Sequence, residues 1–244
     1  MTQWLLTDYW PMKAPNCPFC YTEPAPIAVT VEGDWHSVTS RRLDSRGHIS
    51  LCAGLGAIVE PYAIAFTKDH AIAVSELSSV TRGNLLDALD ACLESGLFPS
   101  NRLTVFEHGG RNPEKASACL EHCHLHIIDG SHDLQAGLVA HYPNAESVMI
   151  GEQTSFAADS GYLFTGQYSG NRRVIGTLVR APSCGSQYFR RLLAMQTGAV
   201  SWDWRTWPTP GAAFRLRAEW AASSASLQTQ GEVTHAWGNT NAPS

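Results

Sequence analysis

The chain has 244 residues, 44% of them hydrophobic and only 16% charged, proportions that suit a folded chain with one sizeable core. Seventeen Lys and Arg against 22 Asp and Glu leave a formal charge of −5, which argues against a nucleic-acid binder living on phosphate contacts. No run reaches the roughly 20 apolar residues of a membrane helix, no signal-peptide core follows Met1, and seven cysteines suit a reducing compartment, so the expected location is cytoplasmic.

Residues 1–16 read as an irregular lead-in. Strands are predicted over 27–31 and 35–41, with a turn at Glu32-Gly33-Asp34. Ile49 to Val59 is apolar with glycine interruptions, and Tyr62 to Phe66 reads as a buried strand. Leu85, Leu86, Leu89, Cys92 and Leu93 recur at helical spacing until Gly96 ends the pattern. Arg102 to Glu107 reads as a strand running into His108-Gly109-Gly110, and a polar loop with Arg111, Asn112 and Pro113 follows. Tyr162–Thr165 and Arg173–Val179 form an expected hairpin, and a helix is expected from Ser186 to Gln196 with Ser186 as its N-cap. Arg190 and Arg191 read as its solvated face. After Pro208 the pattern fades, with one helix around Phe214–Ala222 and disorder expected over 223–244. Mixed strands and helices joined by hairpin-length links predict an α+β fold, an antiparallel sheet with flanking helices.

Ten histidines are present, six between positions 108 and 141. His122, His124 and His126 alternate with Cys123, Leu125 and Ile127. In a strand, alternate side chains share a face, so three imidazoles point one way and three apolar groups enter the core. The imidazoles then stand roughly 6.5–7 Å apart along the strand, close enough together to engage one phosphate and its leaving group. The bland alternative is a polar stripe on an edge strand. A three-histidine metal site is the other, and by composition alone it stands level with phosphate chemistry.

His-x-His-x-His followed by apolar residues resembles the motif of the histidine-triad superfamily of nucleotide hydrolases and transferases. Cys17-Pro18-Phe19-Cys20 is similar to the Cys-x-x-Cys of its zinc-containing members. Phe66-Thr67-Lys68-Asp69-His70 is similar to the family's strand-end Pro-Lys-x-His, with Thr67 where proline is usual. Phe106-Glu107-His108-Gly109 resembles a segment preceding the triad in a bacterial branch labelled dinucleoside-tetraphosphate hydrolase-like. Ser186-Gln187, Arg190-Arg191 and Trp202-Asp203-Trp204-Arg205 resemble the C-terminal elements of that branch.

The resemblance implies a histidine-triad-like domain over 1–208, followed by a partly disordered extension over 209–244. It implies His124 as nucleophile, with His126 and His122 completing the catalytic set. Glu107, His108, Gly109, Ser117, Ser186 and Gln187 are carried over as substrate-binding, and Cys17, Cys20, His70 and His122 as ligands of a structural zinc. The implied partner is a nucleotide substrate, and a homodimer is compatible with the family. An imidazole can attack the α-phosphorus of a nucleotide and form a nucleotidyl intermediate that an acceptor then resolves. With water as acceptor the enzyme hydrolyses a nucleoside phosphate, dinucleoside polyphosphate or related phosphoramidate. With phosphate or a sugar phosphate it is a phosphorylase or nucleotidyltransferase, and a non-catalytic nucleotide-binding protein is the third reading. Tryptophans 202, 204 and 207 could stack on a base, although tryptophan clusters more often belong to a core.

Overall fold

A computed structural model describes residues 17, 19–20, 38–110, 122–156, 161–180 and 184–237, with side chains as far as 226. Eight strands form one antiparallel sheet: β1 (Arg42–Arg46), β2 (Ile49–Ala53), β3 (Tyr62–Thr67), β4 (Leu103–Gly109), β5 (His124–Asp129), β6 (Glu146–Ile150), β7 (Tyr162–Tyr168) and β8 (Val174–Arg180). Their spatial order is β1-β2-β3-β5-β4-β7-β8-β6. The triad strand β5 therefore lies inside the sheet, between β3 and β4. The helices are α1 (Ser79–Glu94), α2 (Leu134–His141), α3 (Tyr188–Thr197) and α4 (Pro210–Trp237). The expected α+β class is the observed one.

Period-two alternation divides the apolar residues between the two faces. On one face Leu51, Ala65, Leu125 and Val105 pack under α1 and the first turns of α4. On the other, Tyr62, Phe106 and Leu163 meet α2 and α3. Cys123, Leu125 and Ile127 all join the first face, as the alternation of the triad segment predicts.

Helix α1 begins where Ser78 accepts a hydrogen bond from the Thr81 amide at 3.1 Å, an N-cap that supplies one of the amides at the helix start with a partner. It ends before Gly96, whose φ of +70° fits the left-handed residue that closes many helices. Helix α2 and strand β6 are absent from the sequence reading. Asp133 caps α2 by accepting from the Ala136 amide at 3.1 Å, and Leu134 and Leu138 form its whole apolar stripe. Gly137 lets α2 close on α3, for a Cβ there would lie 2.7 Å from both terminal carbons of Leu192.

Three expectations need correction. The N-cap of α3 is Gln187, not Ser186, and it makes no side-chain capping bond. Gln187 has φ +59°, so the chain enters the helix from a left-handed residue. Residues 39–41, expected in a strand, form a 3-10 turn, and the strand itself begins at Arg42; the strand expected over 27–31 lies outside the described residues. Helix α4 outruns the expected 214–222 at both ends and continues through much of the segment expected to be disordered. Its N-terminal half belongs to the core: Ala213, Leu216 and Trp220 are buried in the α1 cluster, and Ser223 Oγ donates to the Ser95 carbonyl at 2.7 Å.

Trp220→Ala should therefore cost about 3–5 kcal/mol, the usual penalty for emptying a large buried site. Urea denaturation measures it, and a change within experimental error would mean that α4 adds nothing to the core.

Candidate functional site

The three histidines lie on the sheet face that carries α2 and α3, but the structure separates them into two neighbouring sites. His124 and His126 line a cavity of about 290 Å³, together with His108, Gln187, Arg41 and Arg190. Its apolar wall includes Phe19, Leu55, Phe106, Phe189 and Trp204.

His124 Nδ1 lies 2.5 Å from the carbonyl oxygen of His122. A carbonyl only accepts, so His124 carries its proton on Nδ1 and keeps a lone pair on Nε2. His126 takes the opposite tautomer. Its Nδ1 is 2.5 Å from the Tyr62 hydroxyl, and the Arg190 guanidinium lies beside the same ring, its carbon 5.8 Å from the ring centre. The positive charge on that side favours the phenol proton pointing to His126 Nδ1, which places the imidazole proton on Nε2. The His126 ring is held flat between Phe106, with centroids 4.7 Å apart, and Tyr62, at 5.8 Å. Two adjacent imidazoles are thus held as one lone-pair bearer and one N–H donor.

Burial disfavours the protonated form of each cavity histidine. Burial lowers the pKa of His124. His126 falls well below the usual imidazole range, first through burial and then through the charges of His124, Arg190 and His108. His108 is lowered to about 4, chiefly by burial and secondarily by His124 and Arg191. Its Nδ1 is buried without a hydrogen-bond partner among the described residues.

His122 faces away from the cavity into a cluster with Cys17, Cys20 and His70, whose ligating atoms all lie within 4.8 Å of one another. Cys17 Sγ is 3.3 Å from His122 Nδ1, Cys20 Sγ is 3.3 Å from His70 Nδ1, and Cys20 Sγ is 3.6 Å from His122 Nδ1. A tetrahedral ion with metal–sulfur bonds of about 2.3 Å and metal–nitrogen bonds of about 2.0 Å places S and N roughly 3.5 Å apart. His122 Nε2 donates to the Thr67 carbonyl at 2.7 Å, which leaves the Nδ1 lone pair for a metal, the usual arrangement behind a ligating histidine. These four residues can hold a metal ion.

The expected substrate-binding residues divide. His108 and Gln187 line the cavity. Gln187 already spends its amide on the 202–205 turn, giving Nε2–H to Asp203 at 2.8 Å and accepting from the Trp204 amide at 3.3 Å. Ser117 lies outside the described residues. Ser186 and Gly109 do not line the cavity, and the neighbouring Gly110 gives its N–H to the Ile72 carbonyl at 3.0 Å.

Glu107 is also a correction. Phe106 pairs with His126 across β4 and β5, so Glu107, one residue on, projects from the opposite face of the sheet. It is buried there and accepts from the Tyr162 hydroxyl. Burial raises its pKa to about 7. The sequence reading of Arg190 as solvated fails too, since only 5% of it is exposed. Tyr62, Phe106, Arg41 and Arg190 are cavity residues that the reading did not assign. A signal for Tyr62 was present: with Ile64 and Phe66 it alternates against Ala63 and Ala65, the same face as the histidines once β3 pairs with β5.

No family model matches the chain, and no curated protein matches it. Among solved structures, the crystal structure of yeast Ap4A phosphorylase Apa2 aligns over 80% of this chain and 81% of that one, at 10% identity and a TM-score of 0.37. At that distance the likeness carries no inference about chemistry. Among the described residues no helix is long and apolar enough to cross a membrane.

The buried carboxyl of Glu107 yields a pH test. Its folded pKa of about 7 exceeds the unfolded value of about 4.3, so between those values the folded chain holds a proton that the unfolded chain has lost. Stability from this group falls as pH rises through that window. Glu107→Gln should gain stability relative to the unaltered protein between pH 4.5 and 7.5, measured by urea denaturation at both ends. A difference independent of pH would show that Glu107 is ionised in the folded chain.

Proposed function

We propose that this protein is a nucleotidyl-transfer enzyme of the histidine-triad type, which hydrolyses a nucleoside phosphate, dinucleoside polyphosphate or related phosphoramidate through His124. The observation that carries the reading is the hydrogen bond from His124 Nδ1 to the His122 carbonyl. It leaves the Nε2 lone pair to the cavity on a neutral imidazole that is ready to attack.

In the first step Nε2 attacks the α-phosphorus, the N–P bond forms, and the bond from phosphorus to the leaving group breaks with its electron pair on the departing oxygen, or on the departing nitrogen of a phosphoramidate. The adduct is an N-phosphorylated imidazolium, and the His122 carbonyl faces the Nδ1–H on which its positive charge is shared. His126 donates its Nε2–H to the phosphate or departing oxygen, held in that tautomer by Tyr62. Water then adds its oxygen to phosphorus and gives up one proton to solvent, while the N–P bond breaks with its electron pair returning to Nε2. Aromatic walls at Phe19, Phe106 and Trp204 suit the planar base of a nucleotide.

Zinc is the ion proposed for Cys17, Cys20, His70 and His122, because two thiols and two imidazoles form a donor set typical of it. With four protein ligands it supplies structural cross-linking and has no open position for substrate.

His124→Ala should lower turnover of a dinucleoside polyphosphate by about 10⁴-fold or more with an unchanged circular dichroism spectrum. Acid-labile radiolabelled nucleotide should be recovered on His124 of the unaltered protein after rapid quench. Turnover surviving in the variant would remove His124 as the nucleophile.

Elemental analysis should find one zinc per chain, and Cys20→Ser should lose it. Chelation should lower the melting temperature, because binding to a site absent from the unfolded chain is linked to folding. Metal-free protein with unaltered melting would reduce these cysteines to packing residues.

A further inference from the structure

The aromatic walls of the cavity are not equivalent. The Phe106 ring lies against His126 at 4.7 Å and Phe189 at 5.4 Å. Phe19 lies against Phe66, His122 and His124. Trp204, half-buried against the α1 cluster, stacks on no ring among the described residues. The exposed Arg205 places its guanidinium carbon over the indole, 5.7 Å from the ring centre. Of the three walls, the indole is the one whose aromatic surface is not already spent on other rings.

Neither a strand nor a helix holds Trp204. It sits in a turn that Asp203 closes, its carbonyl accepting from the Thr206 amide at 3.2 Å and the Trp207 amide at 2.9 Å. Gln187, at the start of α3, fastens that turn. Its Nε2–H donates to Asp203 Oδ1 at 2.8 Å, and its Oε1 accepts from the Trp204 amide at 3.3 Å. The Gln187 bond is the first cause holding the Asp203 carboxyl below its usual range. A carboxylate only accepts and a backbone N–H only donates, so the two partners fix which way the Gln187 carboxamide faces. Arg190, on the same helix, donates Nε–H to the Trp202 carbonyl at 2.8 Å. On the other side Gly56 closes against the turn, where a Cβ would lie 2.7 Å from the Cβ of Trp204.

Gln187 takes φ +59° and ψ 32° and is 5% exposed. A left-handed conformation is costly for a residue other than glycine, and it persists where surrounding contacts over-determine it. Those contacts are not a helix cap, for the side chain makes no capping bond to α3. They are the two bonds to Asp203 and Trp204.

We infer that Gln187 is a positioning residue: by holding the turn at Asp203 it sets Trp204 as the surface on which the base of the ligand stacks. The inference rests on the nucleotidyl-transfer reading and deepens it, replacing direct substrate contact by Gln187 with action through Trp204.

Calorimetric titration of His124→Ala protein, in which no nucleotidyl intermediate forms, with AMP, ribose 5-phosphate and adenosine isolates the part played by the base. Stacking on an aromatic side chain should make AMP bind about tenfold or more tightly than ribose 5-phosphate. Adding Trp204→Ala should bring the two affinities within about threefold. Should that variant not fold by circular dichroism, Trp204→Leu keeps an apolar wall without an aromatic face and should do the same. Gln187→Gly suits the left-handed backbone, removes the carboxamide and should also bring the ratio within about threefold. Gln187→Glu sets a carboxylate against that of Asp203 and should lower the ratio. Adding Asp203→Asn gives that carboxylate an N–H partner and should restore the ratio to within about threefold of its starting value.

A ratio untouched by the Trp204 substitution, or lowered by it but untouched at Gln187, would overturn the assignment. So would a loss in Gln187→Glu that Asp203→Asn deepens, which is what a merely structural role predicts. Equal binding of AMP and ribose 5-phosphate by the starting protein would overturn it and leave the nucleotidyl reading standing. Adenosine held in a Trp204- and Gln187-dependent way by protein that takes neither phosphate compound would support it and sink the nucleotidyl reading.

Discussion

His122 is held by its ring and its backbone at once, and the site depends on that double anchorage. Its Nε2–H is fixed by the Thr67 carbonyl, its Nδ1 faces two thiols, and its own carbonyl accepts the Nδ1–H of His124. A shift of this one residue would loosen the cysteine cluster and release the neighbouring imidazole to the other tautomer. The placement of β5 inside the sheet supplies the stiffness, because β3 and β4 pair with it on both sides.

The same register sorts the chemistry. Even-numbered residues of β5 and β4 present His124, His126, Phe106 and His108 to one side, and odd-numbered ones present Leu125, Val105 and Glu107 to the other. A one-residue slip would exchange the two sets. The apolar odd set buried under α1 and α4 therefore fixes the even set in the cavity. Core packing and site geometry are two faces of one alternation.

Much of this was legible in the sequence because period-two and helical patterns act locally. The triad strand, the β7–β8 hairpin, α1 and α3 could be read from spacing alone, and the Cys17, Cys20, His70, His122 grouping came through a resemblance. What escaped depends on contacts between distant segments. Arg190 reads as a surface residue because nothing nearby in sequence announces the Gly56 and Trp202 carbonyls that receive it. Glu107 reads as a site residue because it neighbours His108, yet neighbours in a strand face opposite ways. Helix α2 was missed because Gly137 interrupts its pattern, and that glycine is explained only by Leu192 across the helix crossing.

Phe19 stands between the two cysteines and belongs to both neighbourhoods. Its ring stacks on Phe66 at 4.5 Å, lies 5.3 Å from the His122 ring and 5.5 Å from the His124 ring, and forms part of the cavity wall. The short loop that carries two thiols thus also carries a piece of the ligand's container. Substitutions at these three positions are consequently coupled: replacing the cysteines would also remove the anchor of that aromatic wall and change the shape of the pocket.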